Sequence, residues 1–200
     1  MRRALLLAGG GARGAFQVGM LEELVVNQKL DFQILRGVSV GAFNAAFLAQ
    51  APSSPGSQAE LAQRVHQLKD VWQAEIEGNY SIYAERAGFP GLVLGADSLY
   101  SYEPLKSLIN RHISVASLQT SGRDFAVGVV SLVSGGYSEC SPQAFPGDFM
   151  DRFLASNSIP VVFPFVDIKN DVLVDGGVRN ITPLSTVFRA DPPPDEIFIL

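Results

Sequence analysis

The sequence predicts an α/β domain on a mainly parallel sheet, and three observations predict it. An apolar strand at 3–8 runs into Gly9-Gly10-Gly11-Ala12-Arg13-Gly14 and then a helix. A second strand at 32–36 runs into Gly37-Val38-Ser39-Val40-Gly41 and then a helix of small residues. Strands and helices keep alternating from there to the last residue, which is the pattern of βα units.

Each element has a local reason. Residues 3–8 are apolar throughout, as a strand covered on both faces tends to be. Phe16, Met20, Leu21, Leu24 and Val25 recur at helical spacing up to Asn27. The helix after Ser39 is expected over 41–50. Pro52, Pro55 and Gly56 mark a loop. Ser57, with Glu60 three residues on, has the spacing of a capping box for the next helix. That helix carries Leu61, Val65, Leu68, Trp72 and Ile76 on one face and reaches about Glu77. Residues 80–102 hold many aromatic and apolar side chains among glycines, with weak periodicity. They read as loop packed on the core, or as the apolar wall of a substrate pocket or an interfacial surface.

Further helices are expected at 103–112, 149–155 and 183–190, the last with Thr182 as its cap. Strands are expected at 124–133, from 137 through Cys140, at 171–175 and at 195–200. The segment 156–164 is a proline-broken connection.

The bulk composition narrows the function. Two hundred residues fit one domain, 1–200. A net charge of −5 and a pI near 5.0 argue against a nucleic-acid binder. The single cysteine, Cys140, excludes an internal disulfide and leaves no cysteine cluster for zinc. No metal and no cofactor is expected. The apolar run after Arg2 and Arg3 is too short for a signal peptide or a span. A cytoplasmic protein is expected, with any membrane contact peripheral. Ending on an apolar strand at Leu200 suggests a domain that continues further.

Gly37 and Gly41 flank Ser39 as G-x-S-x-G, the spacing of a nucleophile elbow. There the serine sits on a strained turn and side chains two residues away would collide. Gly9, Gly11 and Gly14 also satisfy G-x-G-x-x-G. A dinucleotide site, however, needs an acidic residue about 20 positions on, at the end of the second strand. Asp31 lies near that distance but precedes the strand. A phosphate-binding P-loop fails because Ala15 and Phe16 stand where Lys and Ser or Thr belong. The remaining use of the loop is backbone N–H groups aimed at an anion, which an oxyanion hole also requires. Arg13 could add charge or clamp an anionic head group.

A serine nucleophile needs a base. His66 lies beside the apolar face of one helix and His112 ends another, so both read as structural. Asp175 closes a Val/Leu strand and is followed at once by Gly176 and Gly177, where ligand sites of open α/β sheets lie. A free Asp, with a pKa near 3.9, is a weak base toward an alcohol. It can serve if the proton moves as the bond forms and the oxyanion is well stabilised.

The glycine run 9–14, the elbow at 37–41 and Asp175-Gly176-Gly177, in that order, resemble the patatin-like phospholipase family. The resemblance runs from Leu5 through Pro183 and takes in the segment 156–164. It implies a three-layer α/β/α sandwich and a Ser39–Asp175 dyad. It also implies an oxyanion hole from Gly10, Gly11, Ala12 and Arg13, and metal-free hydrolysis of acyl esters of phospholipids or other lipids. Gly9, Gly14, Gly37, Gly41, Gly176 and Gly177 support these motifs. Ala8 stands where many members carry Asp. Three alternatives stay open: acyl transfer from the same acyl-enzyme, a nucleotide-binding module, and a non-catalytic lipid- or protein-interaction domain.

Overall fold

A seven-stranded mixed sheet runs through the molecule in the order Val166–Ile168, Asp171–Asp175, Asp124–Ser131, Ile34–Gly37, Arg3–Leu7 and Glu196–Ile199, with Tyr137–Cys140 also paired to Asp124–Ser131. The computed structural model describes residues 1–86, 91 and 98–200. Four strands run parallel: β1 (Arg3–Leu7), β2 (Ile34–Gly37), β5 (Asp124–Ser131) and β9 (Glu196–Ile199). Three strands extend the sheet antiparallel: β6 (Tyr137–Cys140), β7 (Val166–Ile168) and β8 (Asp171–Asp175). This is the α/β architecture that the sequence predicts.

Alternation along β1 and β2 sorts the layers. Leu5, Leu7 and Leu35 face the main core, with α1 (Gly14–Leu21), α2 (Val40–Ala49) and α3 (Gln58–Ala74) packed over them. Ala4, Leu6 and Ile34 point the other way, under Val187 of the short α7 (Leu184–Val187). Helix α2 is buried from Gly41 to Ala49. A helix apolar on every side belongs inside, and Ala42, Ala45, Ala46 and Ala49 let it lie close to its neighbours. Arg123, 2% exposed, ties the loops below the sheet together. It donates to the carbonyls of Ala51, Phe32 and Pro52 and pairs with Asp31 at 2.7 Å.

Helices α4 (Glu103–His112) and α6 (Phe149–Ala155) have the expected bounds, as does β8. Three elements were not expected: the 84–85 and 100–101 ladder (β3, Ala84–Glu85; β4, Tyr100–Ser101), α5 (Val115–Thr120) and β7. Ser114 caps α5, its hydroxyl accepting from Ser117 N–H at 3.2 Å.

Two caps come out differently. The Ser57 hydroxyl donates to the Ser54 carbonyl at 2.7 Å, so it is engaged with the preceding turn and forms no capping box. Pro183 precedes α7 with no side-chain cap, and Thr186 bonds back to the Pro183 carbonyl at 2.6 Å, so Thr182 has no capping part. The helix is one turn, not the longer one expected over 183–190. Of the apolar stretch 80–102, residues 87–90 and 92–97 lie outside the described residues. In its described part, Tyr83 packs on Tyr100 and Phe163.

Candidate active site

Sheet register brings the two halves of the site together. Val127 of β5 pairs with Gly37 and also with Cys140, while Val129 pairs with Asp175 and also with Ser138. A strand has two edges, so β6 occupies one and β2 and β8 follow each other along the other. Ser39 comes two residues after Gly37, and Asp175 pairs two residues after Val127. Both therefore reach the same level on the same edge.

Ser39 sits at φ 56°, ψ −133°, at the turn between β2 and α2. A non-glycine residue at positive φ is uncommon and costs on the order of 1–3 kcal/mol. The turn is held by contacts on each side. A Cβ on Gly41 would stand 2.1 Å from the Leu7 carbonyl oxygen, and one on Gly37 would stand 2.5 Å from Ala42 Cα. Only glycine fits at either position. Ser39 N–H donates to the Ser156 carbonyl at 2.9 Å, and Asp175 N–H to the Ser158 carbonyl at 3.0 Å. The connection 156–158 thus spans both residues from behind.

Asp175 is 3% exposed. Its Oδ1 accepts from Gly177 N–H at 2.7 Å. Its Oδ2 is buried with no well-formed hydrogen bond among the described residues. Burial pushes the carboxyl up to about 6, while the nearby Ser39 hydroxyl and the Gly177 amide pull it partly back. Oδ2 has no bond of good geometry, so the Ser39 influence reflects proximity of the hydroxyl and not a formed hydrogen bond. Gly176 lies on the Gly128 carbonyl, where a Cβ would approach to 2.5 Å.

The glycine run lies beside this pair. A Cβ on Gly9 would stand 3.2 Å from Ser39 Cβ, and its amide donates to the Ile181 carbonyl at 3.2 Å. Gly11, at φ 56°, opens a single 3-10 turn, Gly11–Arg13, which leads into α1 at Gly14. Arg13 N–H closes that turn on the Gly10 carbonyl at 3.2 Å. The amides of Gly10, Gly11 and Ala12 have no acceptor among the described residues. Gly14 is wedged against Val40 and Trp72.

A buried polar network, not foreseen from the sequence, fixes this loop. Gln17 Nε2 donates to the Ala8 carbonyl at 2.8 Å. Asn44 Nδ2 donates to the Gly14 carbonyl at 3.0 Å and to Gln17 Oε1 at 2.9 Å. Trp72 Nε1 completes it by donating to Asn44 Oδ1 at 2.9 Å. The available signal was Asn44 itself, a lone amide in a helix otherwise of small and apolar residues.

Other candidates lie elsewhere. His112 Nε2 meets Glu75 Oε1 at 2.7 Å beside Phe47, and His66 is exposed on α3. Asp31 is engaged by Arg123, so it is no ribose ligand in waiting. A polar cavity of about 670 Å³ lies by Arg36, Tyr137, Glu139 and Arg189, and a second, more apolar cavity of about 440 Å³ lies by Phe47, Val71, Glu75 and His112. Neither touches Ser39 or Asp175. Both are buried, Ser39 at 8% and Asp175 at 3% exposure, and it is the strained serine turn beside the buried carboxyl that marks the site, not cavity size. Among the described residues no cluster of three His, Cys, Asp or Glu is placed to hold a metal.

The model of the family "Patatin-like phospholipase" matches residues 5–188. Among solved structures, the chain is similar to VipD from Legionella pneumophila, with TM-score 0.50 and 16% identity over 88% of this chain and 46% of that one. The chain thus spans less than half of that structure, and the likeness is one of fold. No curated protein matches the sequence.

Proposed function

Because the chain belongs to the patatin-like phospholipase family, we propose that it is a lipid acyl hydrolase in which Ser39 is the nucleophile and Asp175 the base. The observation that carries this reading is a serine on a strained turn beside a buried carboxyl whose pKa is pushed up to about 6. Raising a carboxylate from near 4 to about 6 makes it roughly 100-fold more basic. At neutral pH it is still mostly ionised and able to accept a proton.

The Ser39 hydroxyl proton passes to Asp175 Oδ2 as Oγ bonds to the ester carbonyl carbon. The carbonyl oxygen becomes an oxyanion. The free amides of Gly10, Gly11 and Ala12 are suited to receive it, near the start of α1, whose dipole favours negative charge. Arg13 N–H serves by closing the turn that aims them. Collapse breaks the ester C–O bond, and Asp175 returns the proton to the leaving alcohol. Water then gives a proton to Asp175 as it attacks the acyl carbon, and collapse breaks the C–Oγ bond, with Asp175 returning that proton to Ser39 Oγ as the fatty acid leaves.

The test is hydrolysis of a short-chain p-nitrophenyl ester. Ser39→Ala and Asp175→Asn should each lose activity by at least about 100-fold, the scale of a lost nucleophile or general base. Full turnover by folded Ser39→Ala would refute the reading.

A further inference from the structure

Three short segments ring Ser39 and Asp175, and their composition differs from that of the chain as a whole. Segment 9–16 is tied to the site through Gly9, against Ser39 and Ile181. Segment 156–165 takes the Ser39 and Asp175 amides. Segment 176–183 follows Asp175 and lays Ile181 over Gly9. These segments hold five of the eleven large apolar side chains exposed among the described residues: Phe16, Ile159, Val161, Val178 and Ile181. Scattered apolar residues on a surface are ordinary, but a cluster around one site marks an interaction surface. Val161 is 54% exposed at φ 71°. That conformation is an outlier for a β-branched side chain, and such strain gathers at functional sites.

Charge is segregated as well. The chain has 20 Asp and Glu and a net charge of −5, yet these three segments hold none of its acids and two of its arginines, Arg13 and Arg179. These three segments are therefore apolar and cationic on an acidic protein.

We propose that this face seats on a phospholipid bilayer containing anionic lipid. Phe16, Ile159, Val161, Val178 and Ile181 enter the boundary between headgroups and acyl chains, and Arg13, with the Arg179 guanidinium N–H groups other than the one given to the Gly135 carbonyl, meets headgroup phosphates. The choice of lipid rests on the acyl hydrolase reading above, since an ester held in a bilayer is reached only if the site meets its surface. A second copy of the chain fits poorly, because two such faces would set arginines against arginines and close both sites.

The test uses the full chain carrying Ser39→Ala, so that binding is read without turnover. Cosedimentation is measured with phosphatidylcholine vesicles with and without phosphatidylglycerol, at low and high salt. Binding should be stronger to the anionic vesicles and weaken with salt. Adding Phe16→Ser and Val178→Ser together should lower partitioning by about tenfold or more. Adding Phe188→Ser, an equally exposed apolar site beyond α7, should leave it unchanged. The same Phe16→Ser/Val178→Ser pair in a Ser39 background should keep its rate on the soluble ester. No binding to either vesicle overturns the proposal, as does an equal loss from Phe188→Ser. A dimer that the paired substitution dissociates, seen by light scattering, overturns it in favour of a second copy. Soluble-ester turnover without vesicle binding removes the membrane face and keeps the hydrolase. Vesicle binding without turnover in the wild type does the reverse.

Discussion

Replacing Asp175 by Asn should abolish activity and yet stabilise the protein. Burial raises the Asp175 carboxyl from 3.8 to about 6, so the folded state disfavours its charge. The folded chain then binds more protons than the unfolded chain between those values. Stability contributed by this group falls as pH rises through that window. Below about pH 3 both states hold the proton and the penalty vanishes. Above about pH 7 both have lost it and the penalty is complete. At 1.36 kcal/mol per unit, the shift corresponds to an upper value of about 3 kcal/mol. Asn keeps the shape, carries no charge and retains a carbonyl oxygen for Gly177 N–H. In urea denaturation at pH 8, Asp175→Asn should gain up to about 3 kcal/mol over wild type, or roughly 6–12 °C in Tm. At about pH 3 the two should coincide. An Asn variant no more stable at pH 8, or a gain of equal size at both pH values, would show that the carboxylate is not held against its solvation. Asp175 would then not be a base of raised pKa. Function maintained at the expense of stability is a common trade in active sites.

The same carboxyl must be ionised to act as base, so kcat/KM on a soluble ester should fall toward tenfold per pH unit below about 6, and a profile flat down to pH 5 would contradict this. Gly41→Ala should cost several kcal/mol or prevent folding, because its Cβ would stand 2.1 Å from the Leu7 carbonyl oxygen. Gly19→Ala, within α1 and with no heavy atom within 4 Å, should instead stabilise by about 0.5–1 kcal/mol in denaturant melts. Asn44→Ala removes the acceptor of the part-buried Trp72 N–H and the donor to buried Gln17 Oε1 and the Gly14 carbonyl, so it should destabilise by about 1–3 kcal/mol in the same assay. Substitution by Asn's near-isostere, Asn44→Asp, should cost as much or more, because a carboxylate cannot donate to the Gly14 carbonyl.

What the sequence revealed followed from local rules. The elbow at Ser39 was legible because collisions at Gly37 and Gly41 leave a spacing of fixed residues. Strands β1 and β8 and helices α4 and α6 were legible from apolar period and turn residues. Short elements were not: three-residue β7 and the two-residue strands β3 and β4 are too brief for any period to show. The caps failed for a different reason. Ser57 has the right type and spacing, but its hydroxyl bonds to Ser54, and a local rule cannot weigh that competitor. The Gln17–Asn44–Trp72 network escaped because its members are 27 and 28 residues apart and meet only through the packing of α1, α2 and α3.

The meeting of Ser39 with Asp175 lies beyond local rules altogether, since 136 residues separate them in the sequence. It depends on β5 being longer than its neighbours. Eight residues let one edge serve β2 in parallel at 124–127 and β8 antiparallel at 129–131. The parallel half supplies the elbow and the helix behind it, and the antiparallel half runs Asp175 back to the elbow's level. A one-residue slip of β8 would turn Asp175 to the opposite face of the sheet. Register is guarded by the burial of Leu173, Val174 and Asp175 and by the contact of Gly176 with the Gly128 carbonyl. Gly176→Ala, which forces a Cβ to 2.5 Å from that carbonyl oxygen, therefore strikes the register directly. It should lower soluble-ester activity more than an equally destabilising core change such as Val187→Ala, which lies under the other face of the sheet. Equal activity losses at matched stability would show that the strand holds its place without that contact.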